Sequence, residues 1–282
     1  MLSAEEIAAA MGLSGAGSQI QVDQTRFRMR LVDHWKIPAG AKLLEIGCGQ
    51  GDTTAVLADA VGPGGQVLAV DLAGPSYGAP STLGESAKRI GEGPLGDRIE
   101  FRFRFDALDP ANAFQPGQFD FVVLAHCTWY FESLDKLRRT LTTIRPWTQR
   151  LCLSEWDLAP SEIGQLGHML AVWIQGQVEA FKPESHANVR TPYSRETLYE
   201  ILAETGWKVC SETIVDSSGM ADGRWEVSQC LSQSPREAEA LDMPPKLKAL
   251  THSFLDVLRH VSELGEIRSL PAYSIVAKRV GE

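Results

Sequence analysis

Residues 43–51 read LLEIGCGQG. An apolar run carries one carboxylate, Glu45, and then passes Gly47, Gly49 and Gly51. A glycine loop between a strand and a helix lets backbone N–H groups approach a ligand closely. Two ligand classes compete for such a loop. A dinucleotide asks for G-x-G-x-x-G or G-x-G-x-x-A, with a small residue where helix packs on strand. Here the third position of that pattern is Asp52, and the glycine falls one residue earlier. An anionic pyrophosphate would also meet the Asp52 carboxylate at the helix start, an unfavourable like charge. A ligand carrying a sulfonium and an ammonium reverses the preference, because Glu45 and Asp52 then attract it.

Further chemistry-bearing residues fall at the ends of other apolar runs. VLAVDLA carries Asp71 and Leu72, with Asp71 20 residues after Gly51. A carboxylate there can accept both vicinal hydroxyls of a ribose in charge-assisted bonds. IEFRFRFDA ends in Asp106 and Ala107, and FVVLAHC in His126 and Cys127. SEWDL carries Glu155 and Asp157. His126, Glu155 and Asp157 are the candidate catalytic groups, since an acceptor that must lose a proton is helped by a base beside it. His168 and His186 follow in a helical stretch and its loop. Aromatic residues gather near the same places: Trp129, Tyr130, Phe131, Trp156, Trp173 and Trp225. Such rings could line an apolar pocket and stabilise a cation, which suits a small apolar or aromatic metabolite.

These residues need elements to position them. Residues 3–11 read as a short helix with Ser3 and Glu6 as a capping box. Gly12 to Gly17 breaks it, and residues 18–35 are helical again, with Ile20, Phe27, Leu31 and Trp35 near helical spacing. From residue 41, strands at 42–46, 66–71, 98–105, 119–125, 150–156 and 207–215 alternate with helices at 52–61, 81–91, 133–144 and 194–204. That rhythm predicts an α/β fold, a mostly parallel sheet with helices on both faces. FVVLA at 121–125 is continuously apolar, as in a central strand. IEFRFRFD at 99–106 alternates, as on an edge. The expected organisation is an N-terminal helical segment over 1–40 and an α/β core over 41–158. A helical lid over 159–193, core again over 194–218, a second helical insertion over 219–271 and a final core strand over 272–282 complete it.

The stretch Glu45-x-Gly47-x-Gly49-x-Gly51 resembles motif I of the class I S-adenosylmethionine-dependent methyltransferases. The likeness runs in the family's order along residues 41–158. It implies a Rossmann-like seven-stranded sheet whose last strand, YSIVAKRV at 273–280, is antiparallel. It also implies S-adenosyl-L-methionine as cofactor and S-adenosyl-L-homocysteine as product. Glu45, Gly47, Cys48, Gly49, Gly51 and Asp52 would form its loop. Asp71 and Leu72 would meet the ribose side, Asp106 and Ala107 the adenine, and His126 the methionine end. Transfer to O, N or C of a small acceptor is the leading reading. A pericyclase or cyclase that only holds the cofactor, and a non-catalytic binding protein, remain alternatives. A nicotinamide oxidoreductase is disfavoured by Asp52.

Composition narrows the partners. Lys plus Arg is 27 and Asp plus Glu is 36, for a net charge of -9. That balance weighs against nucleic acid, which needs a concentrated basic patch. The sequence after the fourth strand is AHCTWY, without the N/D-P-P-Y/F stretch of many amino-directed nucleic-acid methyltransferases. The five cysteines are scattered, with no C-x-x-C pair, and fit a reducing, cytoplasmic compartment. No signal peptide and no 18-residue apolar span is read, so no membrane is expected. A helical insertion could serve as a homodimer surface instead of a lid.

Overall fold

The computed structural model describes residues 1–12, 18–79, 81–185 and 187–281. The glycine break beyond Gly12 and the loop residue His186 lie outside the described residues. Seven strands form one sheet: β1 Lys42–Ile46, β2 Gln66–Asp71, β3 Ile99–Phe103, β4 Phe119–Ala125, β5 Thr148–Trp156, β6 Trp207–Val215 and β7 Ala272–Arg279. Their order is β3-β2-β1-β4-β5-β7-β6. β1 to β5 pair in parallel, while β7 runs antiparallel between β5 and β6. The chain moves outward from β1 through β2 to β3, then restarts at β4 on the other side of β1. That reversal opens a crevice at the carboxyl ends of β1 and β4, where open α/β sheets hold their ligands.

The helices are α1 Ala4–Ala10, α2 Ser18–Trp35, α3 Asp52–Val61, α4 Leu83–Gly91, α5 Leu134–Ile144, α6 Leu166–Glu179, α7 Arg195–Glu204, α8 Asp222–Ala240 and α9 Pro245–Leu264. Local chemistry sets several of their starts. Ser3 and Glu6 close a capping box on α1, and Thr82 and Glu85 do the same on α4. Ser133 and Ser194 cap α5 and α7 through their hydroxyls. α2 buries Phe27, Leu31 and Trp35 but leaves Ile20 40% accessible, so Ile20 does not belong to the core stripe. His34 on the same helix bridges Ser274 of β7 and Ser211 of β6, at 2.8 Å each. α2 is thereby fastened across the antiparallel end of the sheet.

β4 lies at the middle of the seven strands, with Val122, Val123 and Leu124 fully buried, as its apolar run requires. β3 is an edge strand, and it is shorter than the alternation suggested. Arg104 adopts φ +55°, a left-handed conformation that ends the strand at Phe103 and turns the chain toward Asp106.

The two helical insertions are not separate additions. α6, from the first, packs on α8 and α9, from the second. Ala171, Ile174, Val227, Cys230, Leu255 and Leu258 form their own small core. This three-helix cap is tied down where His168 Nδ1 accepts the Leu270 N–H at 2.9 Å and Gly164 O accepts the Arg268 N–H at 2.9 Å. No helix among the described residues is long and apolar enough to cross a membrane.

Leu258 is fully buried in the cap core. Leu258→Ala should lower stability by about 2–5 kcal/mol, the usual cost of emptying a buried leucine site. Chemical denaturation measures it, and a change under 1 kcal/mol would mean that the cap opens independently of the sheet.

Candidate active site

β1 delivers the chain into the glycine loop. Gly47 has φ +74°, and a Cβ there would lie 2.6 Å from Cys127 Cβ on the loop after β4. The two loops touch so closely that only glycine fits. A Cβ on Gly49 would meet nothing within 4 Å, so the backbone there borders open space. Gly47 and Cys48 donate their N–H groups to Val70 O at 2.8 and 3.1 Å, which pins the loop to β2. Cys48 is buried, and burial pushes its thiol far above the ordinary range.

Asp71 closes the other side. Its Oδ2 accepts the Gly49 N–H at 2.9 Å and its Oδ1 the Ala73 N–H at 2.8 Å. Leu72, beside it, is 52% accessible and offers an apolar surface at the crevice. Asp106 Oδ1 accepts the Leu108 N–H at 2.9 Å, so part of that carboxylate shapes its own turn, and Ala107 is buried next to it.

Glu45 behaves differently from its sequence expectation. It is 2% accessible and lies under the loop, where the Thr54 hydroxyl of α3 donates to it. Burial pushes its carboxyl up to about 8, opposed by Thr54 and the Arg28 guanidinium and reinforced by Asp52 and Asp71. Near neutral pH it is mainly protonated, so it supports the loop from behind instead of presenting a charge to a cation. Asp52 is also engaged, accepting the Gln21 amide at 2.7 Å and joining α2 to the start of α3.

The loop after β4 is organised by Glu155. This carboxylate is 1% accessible. Its Oε2 accepts the Thr128 N–H at 3.0 Å, the Thr128 hydroxyl at 2.8 Å and the Trp129 N–H at 3.3 Å. Its Oε1 accepts the Trp156 N–H at 3.1 Å and lies 3.4 Å from His126 Nδ1. The Tyr193 hydroxyl in turn donates to Thr128. Glu155 is therefore a scaffold for the loop and not a free base. Asp157 also faces inward, accepting the Ala159 N–H at 3.1 Å and lying 3.6 Å from Arg195 Nη1.

Of the three candidate catalytic residues, only His126 borders the crevice. It has φ +49°, an uncommon conformation for a non-glycine residue, and its N–H donates to Ser154 O at 2.8 Å. Its Nε2 lies 3.2 Å from the Ser154 hydroxyl. The ring packs 5.2 Å from Phe27 and 4.6 Å from Trp156, and Trp156 packs 5.5 Å from His168. Four rings from α2, two strand ends and the cap thus form one wall. Burial brings His168 down to about 3, so it is neutral.

Tyr130 is expected from the sequence as a lining ring, but the Glu226 and Asp222 charges that act on it are not. Tyr130 is 41% accessible beside the cap, and desolvation, then the Glu226 and Glu155 carboxylates, hold its phenol protonated. Glu226 on α8 accepts the Gln175 amide of α6 at 2.8 Å and is pushed up by burial. Asp222 opens α8 and Arg28 sits on α2 next to Phe27. In sequence these are single charges on helices, indistinguishable from solvated faces. Trp156 is a buried wall residue and Trp129 is buried in the core, whereas Trp173 and Trp225 are 45% and 49% accessible on the cap.

The sequence and the fold have known counterparts. A sequence model described as a methyltransferase domain matches residues 18–212, and the chain belongs to that family. It is 29% identical over 242 residues to methyltransferase phomM′ of Diaporthe leptostromiformis, covering 71% of this chain and 62% of that protein. It is 33% identical over 152 residues to nocamycin O-methyltransferase of Saccharothrix syringae, half of each chain. The chain thus spans less than two thirds of either relative's length. A solved structure, a cyclopropane-fatty-acyl-phospholipid synthase-like protein from Lactobacillus casei ATCC 334, superposes with a TM-score of 0.87 at 34% identity over 98% of both chains.

Glu45 also sets a pH signature. Its folded-state value is raised from 4.5 to about 8, so the native state holds a proton that the unfolded chain releases. Stability is then lost as pH rises across that window. Glu45→Gln should remove this loss, so its melting temperature should gain on the wild type between pH 5 and pH 8. A constant difference over that range would show that Glu45 is ionised in the native protein.

Proposed function

We propose that this chain is an S-adenosylmethionine-dependent methyltransferase acting on a small metabolite with an apolar or aromatic body, at O, N or C. The observation that carries it is the crevice between β1 and β4. There an open glycine backbone, the Asp71 carboxylate and the exposed Leu72 lie on one side and His126 on the other. The residues present suit the cofactor. Gly49 borders free space, and three buried polar atoms (Arg28 Nε, Trp129 Nε1 and Asp222 Oδ2) have no hydrogen-bond partner. Buried polar atoms without partners are uncommon and call for a ligand or solvent.

The cofactor, when bound, supplies a sulfonium methyl to an acceptor nucleophile and leaves as S-adenosyl-L-homocysteine. Each protein group then has a role. The Gly47–Gly51 loop supplies backbone contacts, with Cys48 and Asp52 holding its shape. Asp71 binds the ribose hydroxyls, Leu72 and Ala107 flank the adenine, and Asp106 meets its amine. The wall of Phe27, Trp156 and His126 orients the acceptor, since proximity and alignment supply most of the acceleration in such transfers. If the acceptor carries a proton, His126 Nε2 takes it. Glu155, 3.4 Å from Nδ1, then stabilises the imidazolium. Glu155 and Asp157 act as positioning residues and make no contact with the acceptor. The three-helix cap is the lid over this crevice. Five unpaired cysteines among the described residues support a cytoplasmic setting. The exposed Trp173 and Trp225 make the cap the candidate homodimer face.

Calorimetric titration with S-adenosylmethionine, S-adenosylhomocysteine and NAD tests the cofactor. Binding of the first two and not NAD is expected, and the reverse would overturn the reading. Asp71→Ala should weaken S-adenosylhomocysteine binding by about 1.5–3 kcal/mol, the range for hydrogen bonds to a charged group. His126→Ala should lower turnover far more than cofactor affinity; equal losses would make it a cofactor contact only.

A further inference from the structure

Two opposite charges lie on elements outside the sheet, and each keeps one buried polar atom without a partner, although Arg28 Nη1 also donates to Gln24 O at 3.3 Å. Arg28 lies on α2 and has a buried Nε without a partner. Asp222 is the first residue of α8 and has a buried Oδ2 without a partner. The two elements are joined nearby, where Arg30 Nη2 donates to Asp216 O at 2.7 Å in the segment leading into α8. Yet among the described residues no ion pair within 4.0 Å links Arg28 to Asp222. Each feels the other's charge all the same. Burial raises the Asp222 carboxyl, and Arg28 is the first charge to oppose that rise, followed by His126.

Their place is defined by what else they act on. Arg28 also stabilises the charged form of Glu45, under the glycine loop, and Asp52 at the start of α3 acts on both Glu45 and Asp222. His126, at the end of β4, completes the surroundings. Arg28 and Asp222 therefore lie within electrostatic reach of the glycine-loop support and of His126. A cation and an anion, each with a buried orphan atom and held apart from each other, are complementary to a zwitterion lying between them.

We propose that Arg28 and Asp222 clamp the amino-acid end of the cofactor, Arg28 on its carboxylate and Asp222 on its ammonium. This rests on the cofactor reading above. Asp222 lies beyond the span matched to the family, on the cap, so the clamp makes cap closure depend on the amino-acid end. A charge-assisted pair on each group gives specificity as well as affinity.

The test compares S-adenosylhomocysteine with 5′-methylthioadenosine, which keeps the nucleoside and thioether but lacks the amino-acid end. Calorimetry is run on wild type, Asp222→Asn and Arg28→Gln, with thermal melts to show that each variant is folded. Each substitution should weaken S-adenosylhomocysteine by roughly tenfold to a hundredfold and leave 5′-methylthioadenosine within about twofold. In the wild type, hydrogen exchange over residues 216–245 should slow with S-adenosylhomocysteine and not with 5′-methylthioadenosine. Variants that bind S-adenosylhomocysteine like the wild type, or lose both ligands equally, would overturn the clamp while leaving the cofactor reading intact. Binding of neither ligand by the wild type would overturn the cofactor reading and the clamp with it.

Discussion

The buried carboxylate of Glu155 organises the site. A carboxylate at 1% accessibility is costly unless its lone pairs are filled, and here they are filled by two backbone N–H groups of the loop after β4, one hydroxyl of that loop and its own neighbour's N–H. Satisfying this one group fixes where the chain turns at the end of the central strand. The turn places His126 in a left-handed conformation and brings Cys127 against Gly47, which locks the two loops flanking the crevice into one unit. The Tyr193 hydroxyl reinforces Thr128 from outside, so the segment before α7 joins the same network.

A second layer is built on that unit. Phe27 from α2, Trp156 from β5 and His168 from the cap pack in series around His126. Because a wall of rings interdigitates closely, displacement of any one element is felt by the others. The cap is thus not merely laid over the sheet. Its anchor, His168, is neutral and accepts a backbone N–H from the strand-entry segment at Leu270, a bond that needs an unprotonated nitrogen.

Much of this was legible in the sequence. The strand–helix alternation predicted a mostly parallel sheet, the family resemblance implied seven strands with an antiparallel last one, and the unbroken apolar run of FVVLA marked β4 as central. The glycine spacing and the acids at strand ends pointed to the carboxyl ends of the parallel strands, where the topology reverses. Other features were hidden for physical reasons. Glu45 looked like a ligand-facing acid because its strand position is visible but its burial is not. Glu155 and Asp157 read as bases because nothing in SEWDL tells which backbone donors will converge on them. The union of α6 with α8 and α9 joins segments some distance apart along the chain, and amphipathic patterns do not name their partners. Arg28, Asp222 and Glu226 gave no signal, since a charge on a helix gains its meaning only from what the tertiary fold sets opposite.

The second insertion leaves the sheet after β6 and returns at β7, and its two ends are neighbours. Val215 and Ala272 are register partners in the antiparallel ladder. A segment whose ends meet across one strand spacing can grow, shrink or be replaced without opening the sheet, as with the loop of any hairpin. α8 and α9 leave and rejoin the sheet through this single hairpin mouth, held besides by α6 and by the Leu270 N–H bond to His168. The hairpin mouth therefore lets the second insertion vary in length without disturbing the ladder, so long as its helices still cover Ala171 and Ile174 of α6.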